Sequence, residues 1–288
     1  MRLAIGAAQL GMHYGISNQT GKTSLQEAAK IINLAKTHSI DCIDTAIAYG
    51  DSESVLGGVG VKEFKVITKI PPVNTLIGSD NSQLSDMVMQ SLQKLGLSSL
   101  YGLLVHDVSQ LNSENGVVLY ESMRQLKKLK IVDKIGISAY APDEISMLID
   151  EYEFDIVQLP FNIFDNRLIA SGLLEKLKLK NIEVHVRSVF LQGLLLMEPA
   201  NVPQKFSRWK KDFECLNAWI KSNYLTRLGA CLAYVKSFKE IDRIIVGVES
   251  EAQLSEILGS YEIVSMSDFP KFEINDELLI NPGKWSEL

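Results

Sequence analysis

Asp44, Tyr49, Lys69 and His106 each stand where a short apolar run gives way to a loop. Asp44 closes Asp41-Cys42-Ile43-Asp44, and Tyr49 follows in the next loop. Lys69 ends Lys65-Val66-Ile67-Thr68, and His106 ends Leu103-Leu104-Val105. A carboxylate, a phenol, an ammonium and an imidazole gathered around one carbonyl oxygen can protonate it while a hydride arrives. Hydride transfer builds negative charge on that oxygen, so a donor placed there lowers the barrier most. Tyr49 is the candidate acid. A free phenol titrates at about 10, too high for easy transfer near neutrality. A nearby ammonium favours the tyrosinate and lowers that value. Lys69 is the candidate ammonium, and Asp44 the anion that keeps it charged out of water. His106 is a second donor that orients the substrate. Singly, each has a duller reading: a loop tyrosine, a helix cap, a solvated strand end, a core-edge histidine. Together, at the ends of successive apolar runs, they point to chemistry.

Such positions converge only if strands and helices alternate. Apolar runs of strand length fall at 3–8, 41–44, 65–68, 100–105, 134–138, 154–159, 183–189 and 243–247. Helical patterns fall between them, at 24–38, 52–56, 83–95, 117–130, 168–180, 213–222, 225–236 and 252–258. In the first of these, Ala28, Ile31, Ile32 and Ala35 share a face. Pro142, with Asp143 and Glu144 after it, marks a further helix start. About eight strand–helix units predict an α/β fold, a closed (β/α)₈ TIM barrel of parallel strands with its active site at the C-terminal rim. Apolar strands bounded by helices imply a sheet buried on both faces. The competing architecture is an open doubly wound sheet. It lacks its Gly-x-Gly-x-x-Gly turn here, because Gly6 is followed by Ala7-Ala8 and Gly11 by Met12-His13. With 288 residues, 46% of them hydrophobic, the chain suits one barrel domain over 1–288. The segment 191–212 reads as irregular, as does a polar tail from about 265 broken by Pro270 and Pro282.

The formal net charge is −6, without a long basic run. That balance opposes a nucleic-acid partner. Cys42, Cys215 and Cys231 are widely spaced and read as reduced thiols of a cytoplasmic protein. The apolar start at Leu3-Ala4-Ile5 is soon interrupted by Gln9, His13 and Tyr14, so a first strand fits better than a signal peptide. No stretch approaches the roughly 20 apolar residues a membrane helix needs. The expectation is a cytoplasmic protein, monomeric or a small homo-oligomer, acting on a small-molecule carbonyl substrate.

Asp44-Thr45-Ala46-Ile47-Ala48-Tyr49-Gly50-Asp51-Ser52-Glu53, continuing to Leu56-Gly57, resembles a signature of the aldo-keto reductase superfamily. Ile67-Thr68-Lys69, Leu104-Val105-His106, Gly136-Ile137-Ser138 and Val157-Gln158 match further motifs in the right order. Ser188, Leu191-Gln192-Gly193-Leu194-Leu195 and Ile245-Val246-Gly247 complete a similarity running from about residue 3 to 258. The resemblance implies a barrel that reduces aldehydes or ketones with NADP or NAD and without a metal. By the same resemblance, Ser138 and Gln158 hold the nicotinamide carboxamide, although Ala139 stands where an asparagine is expected. Unaided, Gln158 reads as a polar strand end. Arg187 stands where many relatives stack a tyrosine on the nicotinamide. A guanidinium plane can also stack on a ring, but its charge disfavours the oxidised, cationic form. A substrate carboxylate or phosphate, or an acidic neighbour, is the other partner open to Arg187.

The resemblance places the pyrophosphate along 188–193, at Ser188, Gln192 and Gly193, and the adenosine near Gly247, Glu249 and Gln253. Relatives that prefer NADPH carry Lys or Arg in that last loop. Glu249, Glu251 and Gln253 instead suggest that NADH is used at least as well, because carboxylates repel a 2′-phosphate. Both glutamates also suit a first helical turn without any ligand, and Gly193 suits a plain turn. Two other functions compete with carbonyl reduction. One is a non-catalytic regulatory or redox-sensing barrel that binds the nicotinamide cofactor. The other is an aldolase with Lys69 as Schiff-base nucleophile, which needs a neutral lysine beside Asp44.

Overall fold

The computed structural model describes residues 1–18, 20–72, 82–263, 266 and 268–288. Eight strands form a closed, all-parallel barrel in sequence order. They are β1 (Leu3–Gly6), β2 (Cys42–Asp44), β3 (Lys65–Ile70), β4 (Leu100–Val105), β5 (Val132–Ser138), β6 (Ile156–Pro160), β7 (Glu183–Arg187) and β8 (Arg243–Gly247). The ring closes where Leu3 to Gly6 pair in register with Ile244 to Gly247. The (β/α)₈ barrel expected from the alternating pattern is therefore the observed fold.

Side chains alternate along a strand, so residues two apart share a face. One face points outward to the helices, where Leu3, Ile5, Ile43, Val66, Leu103 and Ile137 join the main core. The other face points into the barrel. There Ala4, Cys42, Ile67, Leu104, Ile156 and Ile245 form a separate apolar cluster. Two residues beyond five of these stand Asp44, Lys69, His106, Gln158 and Gly247. Period-2 alternation over one apolar layer thus delivers the polar residues to a common level at the C-terminal rim.

The opposite mouth carries ion pairs. Arg243 bridges to Asp41 at 2.6 Å, and Glu183 meets Lys134 and the Tyr101 hydroxyl. Burial alone would raise the Glu183 carboxyl, but hydrogen bonds from His185, Lys134 and Tyr101 prevail and bring it to about 2.

Several expectations shift. The seventh strand ends at Arg187 rather than 189, because Ser188 adopts a left-handed φ of 56° that breaks extended backbone. The helix expected over 168–180 is two pieces, Arg167–Ala170 and Leu173–Leu179, separated by Gly172 at φ 71°. Segment 191–212 folds into short 3₁₀ turns, including Leu191–Leu196 and Gln204–Trp209. The tail is less irregular than its polar composition suggested, although residue 265 lies outside the described residues. It forms Glu277–Ile280 and Pro282–Glu287 and buries Phe272, Ile274, Leu279, Ile280 and Trp285. Phe272 packs edge-on against Phe164 at 4.8 Å, and Trp285 against Phe206 at 5.0 Å. The tail is thereby pinned to the loops after β6 and β7. Burying each such ring contributes on the order of 2 kcal/mol.

Candidate active site

The loop carrying Tyr49 is held by a backbone-to-backbone approach. A Cβ on Gly11 would fall 1.8 Å from the Tyr49 carbonyl oxygen, and one on Gly50 would fall 2.4 Å from the Gly11 carbonyl oxygen. Gly50 also has φ 58°, a value costly to any residue with a Cβ. Just beyond, Ser52 Oγ donates to the Ala7 carbonyl at 2.8 Å. Glu53 is buried and accepts from Thr68 Oγ1 at 2.7 Å and Ser91 Oγ at 3.1 Å. These two residues of the Ser-Glu motif are scaffolding. They lock helix Ser52–Val59 to β1 and β3, which sets where Tyr49 can stand.

At the rim, the Lys69 amine donates to Asp44 Oδ2 at 2.6 Å and to the Thr45 carbonyl at 2.9 Å. Both side chains of the pair are almost wholly buried, at 0% and 5% exposure. Burial pulls Lys69 below its ordinary value, against the raising effect of Asp44. The same amine lies 5.1 Å from the centre of the Tyr49 ring. The Tyr49 and His106 rings meet edge to face at 5.7 Å. Sequence reasoning named these four residues, and the fold brings them together.

One expectation about them fails. Burial, and then the Asp44 carboxylate, hold the Tyr49 phenol above its ordinary value, with a smaller opposite pull from Arg187. Lys69 does not acidify it here, because the amine is directed at Asp44 and Thr45, and among the described residues no hydrogen bond reaches the Tyr49 hydroxyl. The phenol therefore keeps its proton through neutral pH, as a proton donor must before hydride arrives. Burial, then the charges of Lys69 and Arg187, bring His106 down to about 4. Its ring is neutral at pH 7.

Ser138 and Gln158 lie behind Asp44. Gln158 Nε2 donates to Asp44 Oδ1 at 2.7 Å, while Ser138 Oγ donates to Gln158 Oε1 at 3.1 Å. Both are buried, and neither lines the cavity described next. In this arrangement they fix the second oxygen of the carboxylate that holds Lys69. Gln158→Leu should cost about 1–3 kcal/mol of stability by stripping a buried donor from Asp44. A denaturant midpoint equal to the wild type would show that the bond contributes nothing.

A cavity of about 400 Å³ opens at the rim. Asp44, Tyr49, Tyr14 and Arg187 are among the residues that line it, together with Ser188, Gln192, Gly193, Gly247, Glu249, Gln253 and Glu256. Of the expected cofactor residues, only Ser138 and Gln158 stay outside it. Glu251 also stays out, its amide donating to Glu27 Oε1 at 2.8 Å. Ser17, Tyr140 and Glu256 were not singled out from the sequence. Ser17 and Glu256 line the cavity, and Tyr140 stacks beside Arg187 at 4.3 Å. Nothing in their local pattern distinguishes them from solvated loop or helix residues.

The sequence model of the Aldo/keto reductase family matches residues 2–272. The chain belongs to that family. Membership makes it an oxidoreductase by class, in a family that acts on small carbonyl compounds and generally uses NAD(P)H. Among solved structures, this aldo/keto reductase is similar to an aldo-keto reductase from Bacillus halodurans in its holo form. The identity is 16%, the TM-score 0.73, and the match covers 92% of this chain and 88% of that one. It is also similar to the glycerol dehydrogenase of Gluconobacter oxydans, at 18% identity and TM-score 0.68, over 93% and 88% of the two chains. At such identities the likeness speaks for the fold alone. No curated protein matches the chain at the sequence level.

The cavity wall suits an elongated phosphate-containing cofactor. The turn after β7 is held in costly backbone, with φ 56° at Ser188, 48° at Leu191 and 53° at Gln192. Among the described residues no carbonyl accepts from the Val189 or Phe190 N–H, which leaves both free for an anion. A Cβ on Gly193 would strike Ser17 Oγ at 2.0 Å, and one on Gly247 would strike the Gln9 amide at 2.6 Å. The wall is therefore tightest where the pyrophosphate and adenosine were expected. There Glu249 N–H donates to Gln253 Oε1 at 2.8 Å, and Thr20 Oγ1 donates to Glu249 Oε2 at 3.3 Å.

Proposed function

We propose that this aldo/keto reductase reduces an aldehyde or ketone to an alcohol, with hydride from NADH or NADPH and the proton from Tyr49. What carries this reading is the placement of a protonated phenol at the cavity wall, beside a neutral imidazole and a buried Lys69–Asp44 pair. The bound cofactor supplies the hydride, and the protein supplies everything else. Tyr49 donates to the oxygen as it gains charge, and His106 donates a second hydrogen bond that sets the carbonyl's orientation. As the phenol gives up its proton, the Lys69 amine, 5.1 Å from the ring centre, and the Arg187 charge both favour the tyrosinate, and Asp44, braced by Gln158, keeps that amine in place. Lys69 is fully buried, with its amine donating to Asp44 and the Thr45 carbonyl, rather than presented to a substrate carbonyl. This opposes the Schiff-base reading.

Residues 1–288 then form one catalytic domain working in the cytoplasm. Among the described residues no helix is long and apolar enough to cross a membrane. Mixing the protein with reduced cofactor and a reactive aldehyde in a single turnover tests the proposal. Stoichiometric loss of the nicotinamide absorbance at 340 nm, roughly one equivalent per chain, is expected. A bound but unreacting cofactor across a broad carbonyl panel would favour the regulatory alternative.

NADH is the expected preference. Arg187 is the one cation on the described cavity wall, while Glu249 and Glu256 contribute carboxylates on the β8 side. A 2′-phosphate there would meet negative charge. NADPH should bind about tenfold more weakly than NADH, and Glu249→Lys should narrow or reverse the gap. Fluorescence titration with both cofactors measures it, and tighter NADPH binding by the wild type would refute the preference.

A further inference from the structure

Among the described residues Arg187 has no counter-ion. Its Nη2 donates to the Ala139 carbonyl at 2.9 Å, its Nη1 reaches Ser188 Oγ at 3.4 Å, and its plane lies 4.3 Å from the Tyr140 ring centre. Among the described residues no carboxylate lies within ion-pair distance of it, whereas Arg167, Arg227 and Arg243 pair with carboxylates and Arg2, likewise partly buried, is held by three backbone carbonyls. The charges around it do not compensate. Asp44 is neutralised by Lys69, and His106 is uncharged. Glu249 and Glu256 belong to the loop after β8 and the helix Glu251–Ile263, whereas Ala139 and Tyr140 turn the guanidinium toward the loop after β5. The part of the cavity holding Tyr49 is thus left with one unbalanced positive charge. Its field reaches Tyr49, His106, Lys69 and Tyr14.

A ring that becomes cationic on giving up hydride is a poor lone companion for that charge. A negative group on the substrate restores the balance. We propose that Arg187 anchors a carboxylate on the substrate, so that the protein acts on a carbonyl compound carrying a carboxylate, a 2-oxo acid or a short semialdehyde acid. The planar fork of a guanidinium matches a carboxylate with two parallel hydrogen bonds. Two N–H groups are already engaged, which leaves three of the five for a ligand. This rests on the carbonyl-reductase reading for its chemistry, but the anion site can be tested without turnover.

Calorimetric titration of the full chain, saturated with NADH, with the unreactive carboxylates oxamate and 4-hydroxybutyrate is the direct test. Their uncharged counterparts oxamide and 1,4-butanediol serve as controls. At least one carboxylate should bind about tenfold or more tightly than its control. Arg187→Met should remove that preference, and Arg187→Lys should keep only part of it, because it keeps the charge without the fork. A variant that still binds NADH is folded and cofactor-competent. Equal affinities for charged and neutral probes, or a preference that survives Arg187→Met, would overturn the inference whatever any reductase assay shows. So would tighter binding of glycerol 3-phosphate than of both carboxylates, or an Arg187→Met that loses affinity for ADP-ribose alone, which would assign the charge to a phosphate. Conversely, a carboxylate preference abolished by Arg187→Met, in a protein that reduces no carbonyl, would leave the anion site standing and sink the reductase reading.

Discussion

Tyr49→Phe is expected to lower the rate of carbonyl reduction by about 10²–10⁴-fold, the usual worth of a positioned general acid. Binding of the reduced cofactor should be unchanged. Only the hydroxyl is lost, and among the described residues that hydroxyl holds no other side chain or backbone group in place. The ring remains, with its edge contact to His106 and its place over Lys69. Burial and Asp44 keep the wild-type phenol protonated, so its loss removes a proton that is present throughout the neutral range. Stopped-flow hydride transfer, with cofactor affinity measured in parallel, separates the two effects. Wild-type rates in Tyr49→Phe would remove Tyr49 from the acid role and pass it to His106 or a water.

The barrel could be read from the chain because its signal is repetitive. Eight apolar runs at strand length, each followed by a helical pattern, leave few architectures, and the absent glycine-rich turn disfavours the open sheet. Asp44, Lys69 and His106 could be read because strand ends in such a barrel share a rim. What escaped depends on contacts distant in sequence. The motifs gave no sign that Gln158 donates to Asp44, 114 positions away, while accepting from Ser138. The acidified phenol was inferred from neighbouring residue types. The Lys69–Asp44 pair was legible, but that the amine also donates to the Thr45 carbonyl, while among the described residues no hydrogen bond reaches the Tyr49 hydroxyl, only three-dimensional geometry could reveal. The C-terminal tail looked irregular because its apolar residues follow neither a helical nor a strand period. Phe272 and Trp285 are instead spaced to reach Phe164 and Phe206 in separate loops.

Lys69→Met should abolish turnover to a similar degree and, unlike Tyr49→Phe, should also destabilise the fold. The amine is fully buried, and Asp44 beside it is 5% exposed. Removing one member of a buried pair leaves the other charge with little water to solvate it, at a cost of about 3–5 kcal/mol. Asp44 would retain the Gln158 donor, which places the loss toward the lower end. Combining Lys69→Met with Asp44→Asn removes the stranded carboxylate. The double variant should therefore regain much of the stability while staying inactive, because the ammonium beside the ring is gone and only Arg187 remains for a tyrosinate. Chemical denaturation and single-turnover rates on the three variants resolve the two roles. If the double variant were no more stable than Lys69→Met, the destabilisation would come from lost packing of the lysine stem rather than from an unpaired charge. If Lys69→Met turned over at the wild-type rate, the phenol would not need the buried pair at all.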